Sequence, residues 1–199
     1  MHTRASSIQE ATAHLERHVV MRFADSLCGG VDTILEHRAV LDRHNAVWIA
    51  KMGKPLAGQK ITELREQIRG GTATYVFLVQ RVGGGYQWTR CRLVDIAKSL
   101  PHDERKLVPA YYHDNNVVGQ AATWFKLTGI QKAHTRDVVK LRVLSSGRPI
   151  AETLKSSMAA MFVVTSSHLP PPSVDRMPRF KDKPSLENAV LDAFEDDEE

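Results

Sequence analysis

A β-hairpin predicted over residues 72–96 constrains the fold of this chain more than any other feature. Its first strand, residues 72–80, is a continuous apolar and β-branched run, which is typical of a strand buried on both faces. Gly83, Gly84 and Gly85 supply the turn, because glycine reaches positive φ angles without steric cost. The chain therefore contains an antiparallel strand pair whose first member belongs to the core.

The second strand of the hairpin, residues 86–96, sorts aromatic and basic side chains onto one face. Side chains two positions apart share a face of a strand. One face accordingly carries Tyr86, Trp88, Arg90 and Arg92, and the other carries Thr89, Cys91 and Leu93. Such a strip suits nucleic acid, because a ring can stack on a base while cations hold phosphates. The alternative is an exposed strand face on which the tryptophan packs against arginine stems.

The remaining pattern predicts an α+β protein with five to six short strands. Strands are predicted at 46–52, 72–80, 86–96, 122–130, 139–143 and 160–165, and short helices at 61–68 and 150–158. Apolar spacings of three and four residues predict two earlier helices, over 8–27 and 31–45. Sheets of this size tend to close into small barrels or to pack as α+β layers, and we expect a barrel of five to six strands preceded by an N-terminal helical layer.

Composition and charge divide the chain into three predicted parts. Residues 1–45 hold the N-terminal helices, 46–166 the β domain, and 167–199 a Pro-rich linker with a flexible tail. Residues 1–183 contain 27 basic and 16 acidic residues, a net of +11 that attracts polyanions, whereas 184–199 contain seven acids and no Lys or Arg. The tail can cover the basic surface, recruit a protein partner through 186–194, or remain solvated.

Several function classes lack their sequence signatures. Cys28 and Cys91 make neither a disulfide framework nor a metal quartet, and no apolar run of about 18 residues occurs, so we expect a cytoplasmic, non-membrane protein. His14 and His18 stand one helical turn apart without a third metal ligand. The glycines at 83–85 lack the Lys-Ser/Thr of a phosphate loop, and no familiar catalytic motif is present. We expect no cofactor, no metal and no catalytic residues.

The three tryptophans suggest a more specific site. Trp48, Trp88 and Trp124 each lie in a predicted strand, and the cations Lys51, Arg90 and Lys126 respectively follow them. Three indoles on neighbouring strands can form a pocket for a flipped-out or modified base. The alternative is that two of them belong to the core and one to its rim.

The tryptophan strand at 47–51, the helix at 61–68 and the buried strand at 75–79 are followed by paired strands at 90–96 and 124–130. In this order residues 46–165 resemble the PUA-like superfamily and, within it, the EVE and YTH-related domains. The resemblance implies a small bent barrel that binds RNA or DNA. EVE- and YTH-type members hold a modified base in an aromatic pocket, for which Trp48, Trp88 and Trp124 are the candidates here.

The leading hypothesis is a PUA-like protein that binds DNA or RNA and reads a modified or flipped-out base, in a defence or RNA-modification setting. Arg81 is a further candidate for holding phosphates. The predicted nucleic-acid contacts are Trp48, Lys51, Tyr86, Trp88, Arg90, Arg92, Trp124, Lys126, Lys140 and Arg142.

Two other classes of function remain open from the sequence. One is an adaptor subunit that forms a homo-oligomer through its N-terminal helices and binds a protein partner through its acidic tail. The other is a metal-dependent nuclease built on the long polar connection at 97–121. That connection carries His102, Asp103, Glu104, His113 and Asp114. Cleavage of labelled DNA or RNA with divalent metals distinguishes the nuclease from the other two.

Overall fold

A computed structural model of the chain describes residues 15–25 and 30–166. The chain divides into two compact units, Met1–Leu169 and Pro170–Glu199, and the described residues belong to the first. The strands are β1 (Glu16–Arg22), β2 (Val47–Met52), β3 (Tyr75–Val82), β4 (Gly85–Ala97), β5 (Ala121–Lys132), β6 (Arg142–Val143) and β7 (Met161–Ser166). The α-helices are α1 (Thr33–His44), α2 (Gly58–Arg69), α3 (Tyr111–Asp114), α4 (Val117–Gln120), α5 (Thr135–Val138) and α6 (Ile150–Ser156), with a 3₁₀ helix at His102–Leu107. None of the helices within the described ranges has the length and apolar character to cross a membrane.

The seven strands form one open sheet in the order β2-β5-β4-β3-β1-β7-β6. The α+β class is confirmed, but the expectation of a closed barrel of five to six strands is wrong. The additional strand β1 lies between β3, its parallel partner, and β7, its antiparallel partner. The two edges of the sheet are β2 and β6, a strand of only two residues, and they do not pair with each other, so the sheet stays open.

The first predicted N-terminal helix is also wrong where the structure describes it, because residues 16–22 form β1. Leu15, Val19 and Phe23 are four residues apart, and four is one helical turn as well as two strand repeats. The decisive feature is the consecutive burial of residues 18–21, which a strand covered on both faces requires. Residues 8–14 and 26–27 of that prediction, including His14, lie outside the described residues, and so does Cys28.

The second predicted helix is confirmed as α1. The Asp32 side chain caps it by accepting from the Leu35 N–H at 2.9 Å, and the helix ends at Asn45 in the left-handed region. The predicted helix over 61–68 is confirmed within α2.

The predicted hairpin is confirmed as the β3–β4 pair, although β3 begins at Tyr75 rather than at residue 72 and Gly85 belongs to β4 rather than to the turn. Gln80 pairs with Gln87 and Val82 with Gly85, so Gly83 and Gly84 make a two-residue turn. Their φ angles of 55° and 83° are both positive, as a type I′ turn requires. Residues 75–79 of β3 are all buried, so apolar layers cover both faces of this strand.

Three apolar clusters cover the sheet. One face of the hairpin, with Val76, Leu78 and Leu93, packs against α1 and α2. The other face, with Tyr75, Phe77 and Val79, packs beneath residues 138–154. A third cluster lies on β2 and β5, beneath the 3₁₀ helix and α3.

The structure differs from two further predictions, the polar connection at 97–121 and the strand at 139–143. The connection at 97–121 contains three short helices and buries Leu107, Val108, Tyr111 and Tyr112, so it is not simply a polar loop. The strand predicted at 139–143 is reduced to β6, because α5 precedes it and Val139 is 59% exposed. The strands at 122–130 and 160–165 and the helix at 150–158 are confirmed as β5, β7 and α6. The linker and tail at 167–199 lie outside the described residues.

Candidate nucleic-acid interface

Two of the three predicted tryptophans come together in a closed aromatic cluster, formed by Trp48, Trp124, Tyr111 and Tyr112. Trp48 is opposite Lys126 and Ala50 is opposite Trp124 across the β2–β5 pair, so the two indoles share one face of the sheet. Both are almost fully buried, at 0% and 1% exposure. The Tyr112 ring lies 6.0 Å from that of Trp124 and 4.8 Å from that of Tyr111. The cluster is therefore filled by the chain's own side chains.

Residues 98–121, which we call the covering segment, lie over this cluster, and Glu104 of the 3₁₀ helix joins them to it by hydrogen bonds. Trp48 Nε1 donates to Glu104 Oε2 at 2.5 Å, and Lys126 Nζ donates to Glu104 Oε1 at 2.6 Å. Desolvation opposes ionisation of Glu104, but the hydrogen bonds from Lys126 and Trp48 outweigh it and lower the pKa of the carboxyl. Lys126 Nζ also lies 5.7 Å from the Trp48 ring centroid, so the lysine predicted to hold phosphate is engaged within this cluster.

A second set of hydrogen bonds joins Tyr112 to β2 and α1 through His37, a residue that no sequence pattern indicated. The Ala50 N–H donates to the Tyr112 hydroxyl at 3.2 Å, and that hydroxyl lies 3.1 Å from His37 Nε2. His37 Nδ1 lies 2.6 Å from the Thr33 carbonyl, so a neutral ring protonated at Nδ1 completes the chain of hydrogen bonds. Burial lowers the pKa of His37 to about 4, against a smaller opposing effect of the Thr33 hydrogen bond.

The aromatic and basic strip on β4 lies beneath residues 138–154 rather than on an open surface. Arg90 is 3% exposed and donates to Asp137 Oδ2 at 3.0 Å. Its guanidinium lies 5.1 Å from the Tyr75 ring centroid, and that of the half-buried Arg92 lies 5.7 Å from the same centroid. The strip therefore forms part of the second core, and a phosphate contact by Arg90 stays a prediction.

The other predicted contacts differ in accessibility. Tyr86 and Trp88 are half-buried at the start of β4, and the Tyr86 hydroxyl donates to the Leu154 carbonyl at 3.1 Å. Lys51 is 7% exposed, its Nζ donates to the carbonyls of Met52 and Lys54, and burial lowers its pKa. Lys140 and Arg142 are exposed, and so is Arg81.

An open cleft lies on the hairpin side of α1, and we call it the β1–β4 cleft. It encloses about 530 Å³ between the end of β1, the start of α1 and the end of the hairpin. It is lined by Phe23, Asp25, Asp32, Ile34, Leu35, Arg38, Gln80, Val82, Gln87, Trp88, Thr89 and Lys132. Of the ten predicted contacts only Trp88 belongs to it. The other residues that line the cleft were not predicted, because they come together from strand ends that are distant in sequence. Asp32, the residue that caps α1, was the one local signal among them.

Asp25 is the most firmly held polar group of the cleft. The Thr33 N–H donates to its Oδ1 at 3.0 Å and Gln80 Nε2 to its Oδ2 at 2.8 Å. Burial opposes ionisation of Asp25, but these hydrogen bonds outweigh it and lower the pKa. A fixed carboxylate beside two glutamine amides can bind the N–H edge of a heterocycle, while Phe23 and Ile34 supply apolar wall.

The described residues contain no group of three or more His, Cys, Asp or Glu side chains placed to hold a metal ion. Glu104 is engaged with Trp48 and Lys126, while His102, Asp103, His113 and Asp114 are exposed. The metal cluster that the nuclease hypothesis places at 97–121 is therefore not formed. Cys91 is fully buried, and burial raises the pKa of its thiol to about 12, which makes it a poor nucleophile.

Comparison with known proteins identifies one family. A family model described as Pua-like matches residues 19–154, so the match begins within β1 and ends within α6. No curated protein matches the chain. Among solved structures, it is similar to the YTH domain of the Zygosaccharomyces rouxii MRB1 protein in complex with N6-methyladenosine RNA. That similarity has 10% identity and a TM-score of 0.34, and covers 75% of this chain and 76% of the other.

Proposed function

The chain belongs to the Pua-like family, and from this premise we propose that it binds nucleic acid and holds an unpaired base in the β1–β4 cleft. The resemblance to PUA-like domains implies RNA or DNA as the partner. The cleft itself is the observation that carries the proposal. Its volume of about 530 Å³ falls in the ordinary range of small-ligand pockets, and its walls are more polar than apolar, with Asp25 held in place by hydrogen bonds.

The polar groups of the cleft match the edge of a base. Asp25 accepts hydrogen bonds from ring or amino N–H groups, and the amides of Gln80 and Gln87 can donate as well as accept. A base that is stacked and paired in a duplex cannot enter such a cleft, so the base must come from a single strand or be flipped out. A modified base is the finer form of the same proposal.

Lys132 provides the phosphate contact beside the cleft. It is exposed at the end of β5 and lines the cavity, so its ammonium can reach the backbone of a strand whose base lies inside. Trp88 is the predicted tryptophan that borders the same cavity, although its ring shares a face of β4 with Arg90, opposite to Gln87 and Thr89. Trp48 and Trp124 are covered by residues 98–121, and the proposal therefore assigns them packing rather than base contact.

Two exposed apolar residues at the cleft allow a direct test. Leu35 is 55% exposed and Val82 is 52% exposed, so the double substitution Leu35→Glu/Val82→Glu adds negative charge without disturbing the core. We expect it to weaken binding of oligonucleotides of about 12 nucleotides, RNA or DNA, by at least about tenfold. Fluorescence anisotropy at about 50 mM salt measures this.

The matched control is the double substitution Leu15→Glu/Met52→Glu, which adds the same two charges at exposed positions outside the cleft lining. Met52 is 41% exposed and is paired with Ala121 at the start of β5, whereas the cleft lies at the end of that strand. The control should bind as the unmodified protein does. Absence of binding by the unmodified protein, or equal binding by the Leu35→Glu/Val82→Glu variant and the control, would refute the proposal. Oligonucleotides that differ in one base modification then decide whether the cleft prefers a modified base.

A further inference from the structure

The segment after β5 carries an unusual concentration of exposed cations. Within residues 136–155, which we call the basic segment, Arg136, Lys140, Arg142, Arg148 and Lys155 are all exposed. The acids of this segment are Glu152, which is exposed, and Asp137, which is buried against Arg90. Within the described ranges, only Arg136 of these five cations lies within ion-pair distance of an acid, 3.9 Å from Asp137.

Both ends of the segment are attached to the strands that border the β1–β4 cleft. Three residues before its start, the Ala133 N–H donates to the Trp88 carbonyl at 3.0 Å. At its end, the Leu154 carbonyl accepts hydrogen bonds from Tyr86 of β4 and from Arg22 of β1. The basic segment therefore begins and ends beside strands that border the cleft, while it packs on the sheet face opposite to Gln80 and Gln87, so a single strand reaches both by crossing the end of the hairpin.

The basic segment packs on the sheet and does not extend from it as a loop. Beneath its exposed cations, Val138, Leu141 and Ile150 pack on the sheet face that carries Tyr75 and Phe77. The buried Arg90–Asp137 pair, at 3.0 Å, joins the same segment to β4. Cations held on a rigid base lose less conformational freedom when they contact a polyanion.

We propose that the basic segment binds the sugar–phosphate backbone of the single strand that flanks the base in the cleft. This inference rests on the proposed function, because the cleft accepts only an unpaired base and so determines a single strand as the partner. Contacts of this kind are independent of sequence and depend strongly on salt. The segment supplies affinity, while the cleft supplies preference among bases.

The test compares two variants that remove equal charge. The segment variant carries Arg136→Gln, Lys140→Gln, Arg142→Gln and Arg148→Gln. The control carries Arg43→Gln, Lys54→Gln, Arg69→Gln and Lys98→Gln, which are exposed positions outside the basic segment and the cleft lining. Each variant loses four positive charges from exposed sites, so both keep the fold and have the same net charge.

Binding of a labelled oligonucleotide of about 12 nucleotides is measured across salt concentrations, together with binding of a mononucleotide. For the segment variant we expect the slope of log K against log salt to decrease in magnitude by about 2–3, at about 0.7 per lost single-strand phosphate contact. The control should change it by less than about 1. Mononucleotide binding should be the same in all three proteins, because a mononucleotide reaches only the cleft.

The outcomes separate this inference from the function on which it rests. If the unmodified protein binds no oligonucleotide, both proposals fail. If it binds and the two variants show equal slopes, only the role of the basic segment is refuted. Loss of mononucleotide binding in the segment variant would also refute it, since the segment would then act at the cleft. Binding of polyglutamate as tight as that of the oligonucleotide would assign an acidic protein as the partner instead.

Discussion

The aromatic cluster and the β1–β4 cleft contain similar residues that differ in how far other segments cover them. Each has a tryptophan on a strand and a lysine of β5, Trp48 with Lys126 in the cluster and Trp88 with Lys132 at the cleft. In the cluster, Glu104 binds both the indole and the ammonium, and residues 98–121 exclude solvent. At the cleft Lys132 remains exposed. The comparison shows that a covering segment, rather than the tryptophan and cation themselves, decides whether such residues belong to the core or stay accessible to solvent.

The largest expected difference between the two regions is in stability. Trp48→Ala removes a fully buried indole and should lower the free energy of unfolding by about 3–5 kcal/mol. Trp88→Ala should cost clearly less, because this side chain is half-buried, and should weaken single-strand binding by about 1–3 kcal/mol. Urea unfolding and anisotropy measure the two effects. Equal losses of stability would end the distinction between cluster and cleft.

Acid should weaken the aromatic cluster through His37. Its pKa of about 4 in the folded protein lies below the unfolded value of about 6.5, so the unfolded state binds more protons between these values. The contribution of neutral His37 to the free energy of unfolding should therefore be fully present above about pH 6.5, and about 3 kcal/mol of it should be lost as the pH approaches 4. The substitution His37→Gln should make this part of the profile less steep in urea unfolding, and the slope that remains is expected from the buried His18, whose pKa burial lowers to about 3. A variant as acid-sensitive as the unmodified protein would contradict the assignment to His37.

Glu104 should contribute a smaller amount to the same region. Glu104→Gln weakens the hydrogen bonds from Trp48 and Lys126 and should cost about 1 kcal/mol at neutral pH. The pKa of Glu104 is lowered in the folded protein, so this contribution is present above the usual carboxyl pKa of about 4.3 and is lost as the pH falls through the lower folded value. Binding at the cleft should not change. A variant that binds oligonucleotide more tightly would instead indicate that the covering segment restricts access.

The smallest expected effect distinguishes the two lysines of β5. Lys132→Gln should reduce the magnitude of the salt slope for a single strand by about 0.7, the value for one phosphate contact. Lys126→Gln should leave the slope unchanged, because its ammonium is bound to Glu104. Both are measured by anisotropy over a salt series. A slope that responds to Lys126 instead of Lys132 would move the interface from the cleft to the aromatic cluster.

The sequence predicted those elements whose signals are local. The hairpin follows from alternation and the glycines at 83–85, and α1 follows from apolar spacing over 31–45. Strand β1 could not be recognised locally, because a spacing of four fits both strand and helix and its partners are β3 and β7. Arg90 was interpreted as a surface cation because its partner, Asp137, lies 47 residues further along. The cleft could not be predicted for the same reason, since its walls come from several distant strand and helix ends.

The central position of β1 has a consequence for how the protein is made. During synthesis β1 is made well before its neighbours, which begin only at Tyr75 and Met161. Its apolar residues Val19, Val20 and Met21 therefore have no strand to pair with until β3 has been made. Such long-range pairing slows folding and leaves a strand open to aggregation or to chaperones. A shortened gene that starts at residue 46 would separate β2-β5-β4-β3 from β7-β6 and yield two half-sheets rather than a smaller domain.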